Sequence, residues 1–369
     1  MAQIRLENLN KRFSDFVAVR NTNMQINDGE FFVLLGPSGC GKTTTLRMIA
    51  GLELPSDGKI LLEGDDVTFL RAAQRDIAFV FQLFALYPHM NVRQNLSFPL
   101  ENQGMKRSEI DAHIADVAKL LRIEHLLKNK ISSLAGGDRQ RVALGRAIIR
   151  RPKAFLMDEP LGTLDSEFRE LMCSELRALH DRIKATTVYV THDQLEAMAM
   201  ADKIAVMSKG EVLQVASPTE IYRRPATRFV ANFIGSPAMN FLPSQRGVRA
   251  GANKVMVHDA EIPVPVIQEE SKNDLTLGVR PEDVVVSSEG VLRGEVFGVE
   301  YMGSRQLITV DTQAGRLKVK APNDVQASIG DNVGLTFRTE HLILFDNATD
   351  RALKSEWMSD VREAAVAHG

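Results

Sequence analysis

Cysteine is nearly missing from this chain. Its 369 residues include two, Cys40 and Cys173, too few for a disulfide framework. Cys40 lies inside a glycine-rich run, where a disulfide would obstruct a ligand, so a reducing cytosol fits best. A dominant charge sign is also lacking. The formal net charge is -2, which argues against a global basic surface for nucleic acid or anionic membrane. No apolar run approaches the ~20 residues that a membrane span needs. A role at a membrane therefore implies docking onto another chain. The first residues, Met1-Ala2-Gln3-Ile4-Arg5, read as the edge of a strand and not as a secretory signal. Internal repeats at solenoid spacing and low-complexity segments are lacking too. What is present is 44% hydrophobic content, enough for roughly two to three domains with real cores.

The most informative run is Gly36-Pro37-Ser38-Gly39-Cys40-Gly41-Lys42-Thr43-Thr44. It follows the apolar Phe31–Leu35, which reads as a buried strand, and precedes Leu46–Ala50, which reads as a helix start. A glycine-rich turn in that position lets backbone N–H groups close around a polyphosphate, and the helix end adds a favourable dipole. Lys42 would reach the β- and γ-phosphates, and the Thr43 hydroxyl would bind Mg²⁺. Kinases, GTPases, helicases and transport ATPases all share such a loop.

Residues 1–35 alternate apolar and polar, with a turn at Asn27-Asp28-Gly29, and read as an antiparallel strand layer leading into the loop. Ile60–Leu62 and Ile77–Phe81 read as further strands. From about Asn91 to Arg151 the spacing is helical, as in Ile114, Val117, Leu120 and Leu121. Strand-like runs return at Ala154–Met157, Thr187–Val190 and Ile204–Met207, with helical stretches between them. This βαβ rhythm implies a mainly parallel sheet with a helical insert. The character shifts near Gly235-Ser236-Pro237 to short β-rich runs, the pattern of a small barrel or sandwich. The segment from Ala352 to about Ala367 reads as a helix, with the single tryptophan, Trp357, as a packing anchor.

A second element is Ala154-Phe155-Leu156-Met157-Asp158-Glu159-Pro160, an apolar strand ending in two acids. Asp158 is placed to hold Mg²⁺ through water, and Glu159 to orient and polarise an attacking water. Upstream, Gly136 and Gly137 within Leu134–Ala147 make another anion-binding helix end. Two chains facing head to tail would each lend that end to the other's nucleotide.

On these motifs the chain resembles the nucleotide-binding subunit of an ATP-binding cassette (ABC) importer, most similar to the maltose-type ATPases of carbohydrate uptake. The resemblance spans nearly the whole sequence. It implies an α/β P-loop NTPase (ABC ATPase) over residues 1–235, with a helical subdomain over about 88–151. A small all-β, OB-like (TOBE-type) regulatory or dimerisation domain follows over 236–369, where Gly235–Phe241 and Leu277–Asp283 resemble the family's join and its recurrent motif. Gly36 to Thr43 falls on the Walker A loop and Asp158 on the Walker B acid, with Glu159 as catalytic glutamate. Gln82 falls on the Q-loop glutamine, joining Mg²⁺ to the transmembrane partner. His192 falls on the switch histidine near the γ-phosphate. Ala135, Gly136, Gly137 and Asp138 fall on the signature motif and Leu161–Asp165 on the D-loop; the signature acts on the opposite subunit's nucleotide, and Asp165 lies across that interface. Phe13 falls where the family stacks adenine, with Phe16 as the alternative.

The implied cofactors are ATP and Mg²⁺. The implied partners are transmembrane permease subunits, a second ATPase subunit and, indirectly, a periplasmic or extracellular solute-binding protein, with no nucleic acid. The implied place is the cytoplasmic side of the bacterial inner membrane, held peripherally. A sugar, polyol or glycerol-type substrate is the family-level expectation; iron, polyamine and sulfate importers carry related tails. A soluble ABC protein and a regulatory binding protein remain alternatives. The signature usually runs Leu-Ser-Gly-Gly-Gln, and here Ala135 and Asp138 replace the serine and the glutamine. The D-loop usually begins Ser-Ala/Asn-Leu-Asp, and here Gly162-Thr163 precede Leu164-Asp165. Both departures fall on parts that act across the dimer, so a heterodimer with an intact-signature subunit stands beside a homodimer.

Overall fold

The computed structural model describes residues 2–81, 85–162 and 164–358. The chain divides into two compact units between Pro218 and Thr219. The first contains β1 (Ile4–Phe13), β2 (Phe16–Ile26), β3 (Phe31–Leu35), α1 (Lys42–Ala50), β4 (Asp57–Leu62), β5 (Asp65–Asp66), β6 (Ile77–Val80), α2 (Val92–Asn102), α3 (Arg107–Leu121), α4 (Gly136–Ile148), β7 (Ala154–Asp158), α5 (Ser166–Ile183), β8 (Thr186–Thr191), α6 (Gln194–Met200), β9 (Lys203–Ser208) and β10 (Glu211–Ala216).

Two sheets form. One is antiparallel in the order β2-β1-β4-β5, and the other runs β10-β9-β3-β8-β7-β6. In the second, β3 pairs in parallel with β8 and β9, β7 with β8, and β6 with β7. The apolar run Phe31–Leu35 is buried at every position, as expected of a parallel strand covered on both faces. It thus belongs to the parallel sheet, while the antiparallel layer read over residues 1–35 holds only β1 and β2 of that stretch. Leu46, Met48 and Ile49 of α1 share one apolar cluster with Ile4, Leu6 and Ile26 of the first sheet and Leu34, Leu156 and Val190 of the second. Each such buried side chain contributes about 1.5–3 kcal/mol. The helix that follows the glycine-rich loop is therefore fixed by both sheets. The helical stretch read from Asn91 holds α2, α3 and α4, and Asn91 itself caps α2 by accepting from Gln94 N.

Arg75 completes the support of α1. It is 1% exposed, and its guanidinium donates to the carbonyls of Met48, Ile49, Thr68 and Leu70 at 2.7–3.0 Å. Met48 and Ile49 lie in the last turn of α1, where the i+4 partners run out; Met48 O also accepts from Gly51 N at 3.1 Å. Burial pulls the Arg75 guanidinium below its ordinary range, yet these acceptors keep it in place. Arg75→Met should lower stability by about 3 kcal/mol, because the buried carbonyls of Ile49, Thr68 and Leu70 lose this donor. Chemical denaturation checks this; a change below about 0.5 kcal/mol would assign Arg75 no such role.

The second unit takes in α7 (Pro218–Arg223) after its first residue, then α8 (Arg228–Phe233), β11 (Asn240–Val248), β12 (Lys254–Val257), β13 (Ala260–Pro263), β14 (Ser271–Val279), β15 (Val284–Ser287), β16 (Leu292–Tyr301), β17 (Arg305–Thr312), β18 (Gly315–Pro322), β19 (Asn332–Phe337) and β20 (Ile343–Asp346). Its antiparallel sheets run β11-β14-β20, β12-β13 and β15-β19-β16-β17-β18, around a shared core that includes Leu242, Leu277, Val296, Val310 and Leu344. The division falls ahead of the compositional shift at Gly235. The buried Arg280 gives a reason: it donates to the carbonyls of Tyr222, Ala231 and Ile234, tying α7 and α8 to the β-rich part. The helix read from Ala352 is not how this segment begins. Ala352 bridges to Phe345 and Ser355 to Ile267, so the segment pairs as extended chain before a turn at 356–358; the remainder lies outside the described residues. Trp357 packs against a small cluster with Met239 and Phe345, 5.1 Å from the His341 ring.

Candidate nucleotide site

Strand order decides which residues meet. β8 lies between β3 and β7, with Leu35 opposite Thr191 and Asp158 opposite Val190. The glycine-rich loop after β3, Glu159 after β7 and His192 after β8 therefore leave the sheet at one edge. That edge, at the carboxyl ends of parallel strands, is where open α/β sheets bind ligands.

The loop has little steric freedom. Gly41 has φ +104°, and a Cβ there would stand 2.4 Å from the Ala18 carbonyl oxygen of β2. No side chain caps α1, whose N-cap is Gly41, so its first N–H groups face the loop. Lys42 is 4% exposed. Its ammonium donates to the carbonyls of Gly36 and Pro37 at 2.8 and 2.9 Å. Among the described residues no carboxylate pairs with it within salt-bridge distance. A buried cation beside the uncapped start of a helix is a receptor for a polyanion. Burial pushes the Cys40 thiol up, against the nearby Lys42 charge that lowers it, so this thiol stays neutral.

Thr43 Oγ1 donates to Asp158 Oδ1 at 2.8 Å across a separation of 115 residues. Burial raises the Asp158 pKa, while the Thr43 hydrogen bond and Arg47 lower it. Glu159 adopts φ +43°, a left-handed conformation that costs a non-glycine residue about 1–2 kcal/mol. Glu159 N donates to Val190 O at 3.1 Å, and Gly162 N donates to Glu159 O at 3.2 Å, which hold this kink. Glu159 Oε1 then stands 3.3 Å from His192 Nδ1. The two side chains expected at the γ-phosphate are in contact. Gln82 lies outside the described residues.

The signature segment stands at the start of α4. Ala135 is its N-cap and offers no side-chain bond. Gly137 packs so tightly on α5 that an added Cβ would stand 2.1 Å from the Phe168 ring; the Gly136 position has only a leucine methyl at 3.8 Å. Asp138 lies 3.6 Å from Arg141, but that guanidinium is already bound to both oxygens of Glu175 at 3.0–3.2 Å. The Asp138 charge is thus only partly offset. Asp165 caps α5 by accepting from Phe168 N at 2.9 Å. Phe13 is half exposed at the β1–β2 turn, opposite Phe16, with Lys11 Nζ 4.7 Å over its ring.

Sequence reasoning did not find Arg169, Asp193 and Glu196, which meet behind His192. The available signal was spacing: Arg169 stands one helical turn after Asp165, the N-cap of α5, and Glu196 stands three residues after Asp193, the N-cap of α6.

The family model for the ABC transporter matches residues 19–162, that for the MalK OB fold domain residues 235–284, and that for the TOBE domain residues 277–345. The chain is 43% identical to a trehalose/maltose import ATP-binding protein, MalK, of Thermococcus litoralis, over 96% of this chain and 100% of the relative. It is 41% identical to the sn-glycerol-3-phosphate import ATP-binding protein UgpC of Psychromonas ingrahamii, over 100% of both chains. Among solved structures it is similar to cbiO1 from Clostridium perfringens, part of the ABC transporter complex cbiONQ, with TM-score 0.56 and 29% identity over 59% of this chain and 89% of that one. It is likewise similar to the dimeric bacterial ABC transporter cassette MJ0796, with TM-score 0.53 and 31% identity over 58% of this chain and 98% of that one.

Proposed function

Because the chain belongs to the family of ABC transporter ATP-binding subunits, we propose that it is the ATP-hydrolysing motor of a bacterial importer for a sugar, polyol or glycerol-type solute. The observation that carries the site assignment is the buried Lys42 ammonium. It is held by the Gly36 and Pro37 carbonyls, with the Cys40 sulfur 3.9 Å away, at the foot of the glycine-rich loop. The β- and γ-phosphates of ATP would replace those carbonyls. The adjacent Thr43 hydroxyl and Asp158 carboxylate are hard oxygen donors of the kind Mg²⁺ takes with phosphates and water. Bound there, the ion would neutralise charge on the phosphates. Glu159 accepts a proton from the attacking water, and His192 holds Glu159 in place at the γ-phosphate. Phe13 stacks on adenine. The solute class is taken from relatives named for trehalose/maltose, xylose/arabinose and glycerol-3-phosphate import.

Among the described residues no helix is long and apolar enough to cross a membrane, so the motor would act through permease subunits at the cytoplasmic face. Closure of two cassettes around ATP would drive those subunits. We propose further that the second cassette is a different chain with an intact signature. The reason lies at α4: Ala135 cannot give the γ-phosphate a hydroxyl hydrogen bond, and Asp138 brings a partly offset negative charge to the same helix end. The test is phosphate release by the full-length chain alone and mixed with an intact-signature cassette subunit. Activity at least about tenfold higher in the mixture supports the pair. Equal activity of the chain alone, unaltered by Ala135→Ser and Asp138→Gln, establishes a homodimer instead.

A further inference from the structure

We propose that Arg169 is a positioning residue that ties the segment just ahead of α5 to the turn that carries His192, and that this tie sets the rate of hydrolysis. This rests on the function proposed above. A single guanidinium makes the connection. Arg169 Nη2 donates to the Leu164 carbonyl at 2.8 Å, inside the segment. Its Nη1 donates to Asp193 Oδ2 at 3.0 Å, on the residue next to His192. Its backbone N–H bonds back to Asp165 O at 2.9 Å, so the side chain starts from a fixed point.

The far end is equally fixed. Asp193 Oδ1 caps α6 by accepting from Leu195 N at 2.8 Å, and Asp193 N donates to Thr191 Oγ1 at 3.0 Å. The Thr191 hydroxyl and the Tyr189 hydroxyl both donate to the buried Glu196 Oε2, at 2.7 and 2.8 Å. A shift of Arg169 is thus passed to the whole turn that carries His192, and His192 touches Glu159. The arrangement also has slack for movement. Arg169 Nε is buried without a hydrogen-bond partner, 3.6 Å from Glu196 Oε1. A shift of the guanidinium toward Glu196 would close this gap. Charge-assisted bonds of this kind are about twice as strong as neutral ones and directional.

The experiment compares full-length wild type, Arg169→Met, Arg169→Lys, Asp193→Asn and the Arg169→Met/Asp193→Asn double variant, in whichever cassette dimer hydrolyses ATP. It reads kcat, KM and the affinity for a fluorescent, non-hydrolysed ATP analogue. Coupling predicts that Arg169→Met lowers kcat at least about tenfold while KM and analogue affinity stay within about twofold. It predicts partial recovery with Arg169→Lys, and a double variant no worse than the poorer single one. Asp193→Asn, with its amide oxygen kept on the α6 cap, turns an NH2 group toward Arg169 and so removes both the charge and the acceptor there; it and Arg169→Lys decide the matter if Arg169→Met does not fold. A kcat within about twofold of wild type, or a loss shared equally by analogue affinity, overturns the coupling and leaves the motor function standing. Failure of wild type to hydrolyse ATP in any cassette dimer overturns both.

Discussion

Glu159→Gln should lower the turnover number for ATP by about 10²–10⁴-fold, the usual range for a lost general base. Glutamine has the same size and keeps an oxygen toward His192, but it cannot accept a proton from water. The backbone supports a chemical role for this residue. A left-handed φ of +43° on a glutamate is an unfavourable conformation that the Val190 and Gly162 hydrogen bonds hold in place, and strain of this sort clusters at functional sites. Phosphate release and binding of a fluorescent ATP analogue, measured on the same protein, separate chemistry from affinity. Analogue affinity should stay within about twofold, since no phosphate-binding group is altered. Turnover above about one tenth of wild type would remove Glu159 from the role.

Lys42→Ala should act on the other side of that division. Its ammonium is buried with no carboxylate within salt-bridge distance among the described residues, though the Asp158 charge is near enough to act on it, and ATP would supply the close counter-charge. Truncating one partner of a buried, hydrogen-bonded charge pair costs about 2–5 kcal/mol, roughly 30- to 4,000-fold in Kd. The same change leaves the Gly36 and Pro37 carbonyls without their donor, so a thermal melt of the unliganded variant must accompany the titration. ATP should raise the melting temperature of wild type and leave Lys42→Ala unshifted at the same concentration. An equal shift for both proteins would show that Lys42 does not hold the phosphates.

The two substitutions differ in how visible they were in the sequence. The phosphate loop is local: an apolar strand, a glycine-rich turn and a helix start follow one another within twenty residues of chain, so spacing alone identifies it. Asp158 and Glu159 were legible as acids ending an apolar strand, but their meeting with Thr43 and His192 depends on β8 lying between β3 and β7. That order follows from pairing between distant segments and is not written in any short pattern. The buried arginines were hidden for a different reason. Arg75 and Arg169 look like surface residues until the carbonyls and carboxylates around them are assembled. β11 is hard to read as a strand from sequence, because its run Asn240–Val248 contains Pro243 and several polar residues. It lies at the edge of its sheet, where a missing N–H is tolerated. The segment after Ala352 misled in the opposite direction. Its composition permits a helix, and its first residues instead take up unpaired backbone beside Phe345 and Ile267.

The most direct test of a complete hydrolytic site beside a weak signature end is phosphate release from Mg·ATP by the full-length Ala135→Ser/Asp138→Gln chain. Restoring a hydrogen bond to a charged phosphate adds about 1.5–3 kcal/mol of transition-state stabilisation, or roughly 10- to 150-fold in rate. The repaired chain should therefore hydrolyse ATP at least about tenfold faster than wild type alone, and Glu159→Gln in the same background should abolish the gain. No phosphate release from the repaired chain at saturating ATP would contradict the assignment of Lys42, Thr43, Asp158, Glu159 and His192 to a working site.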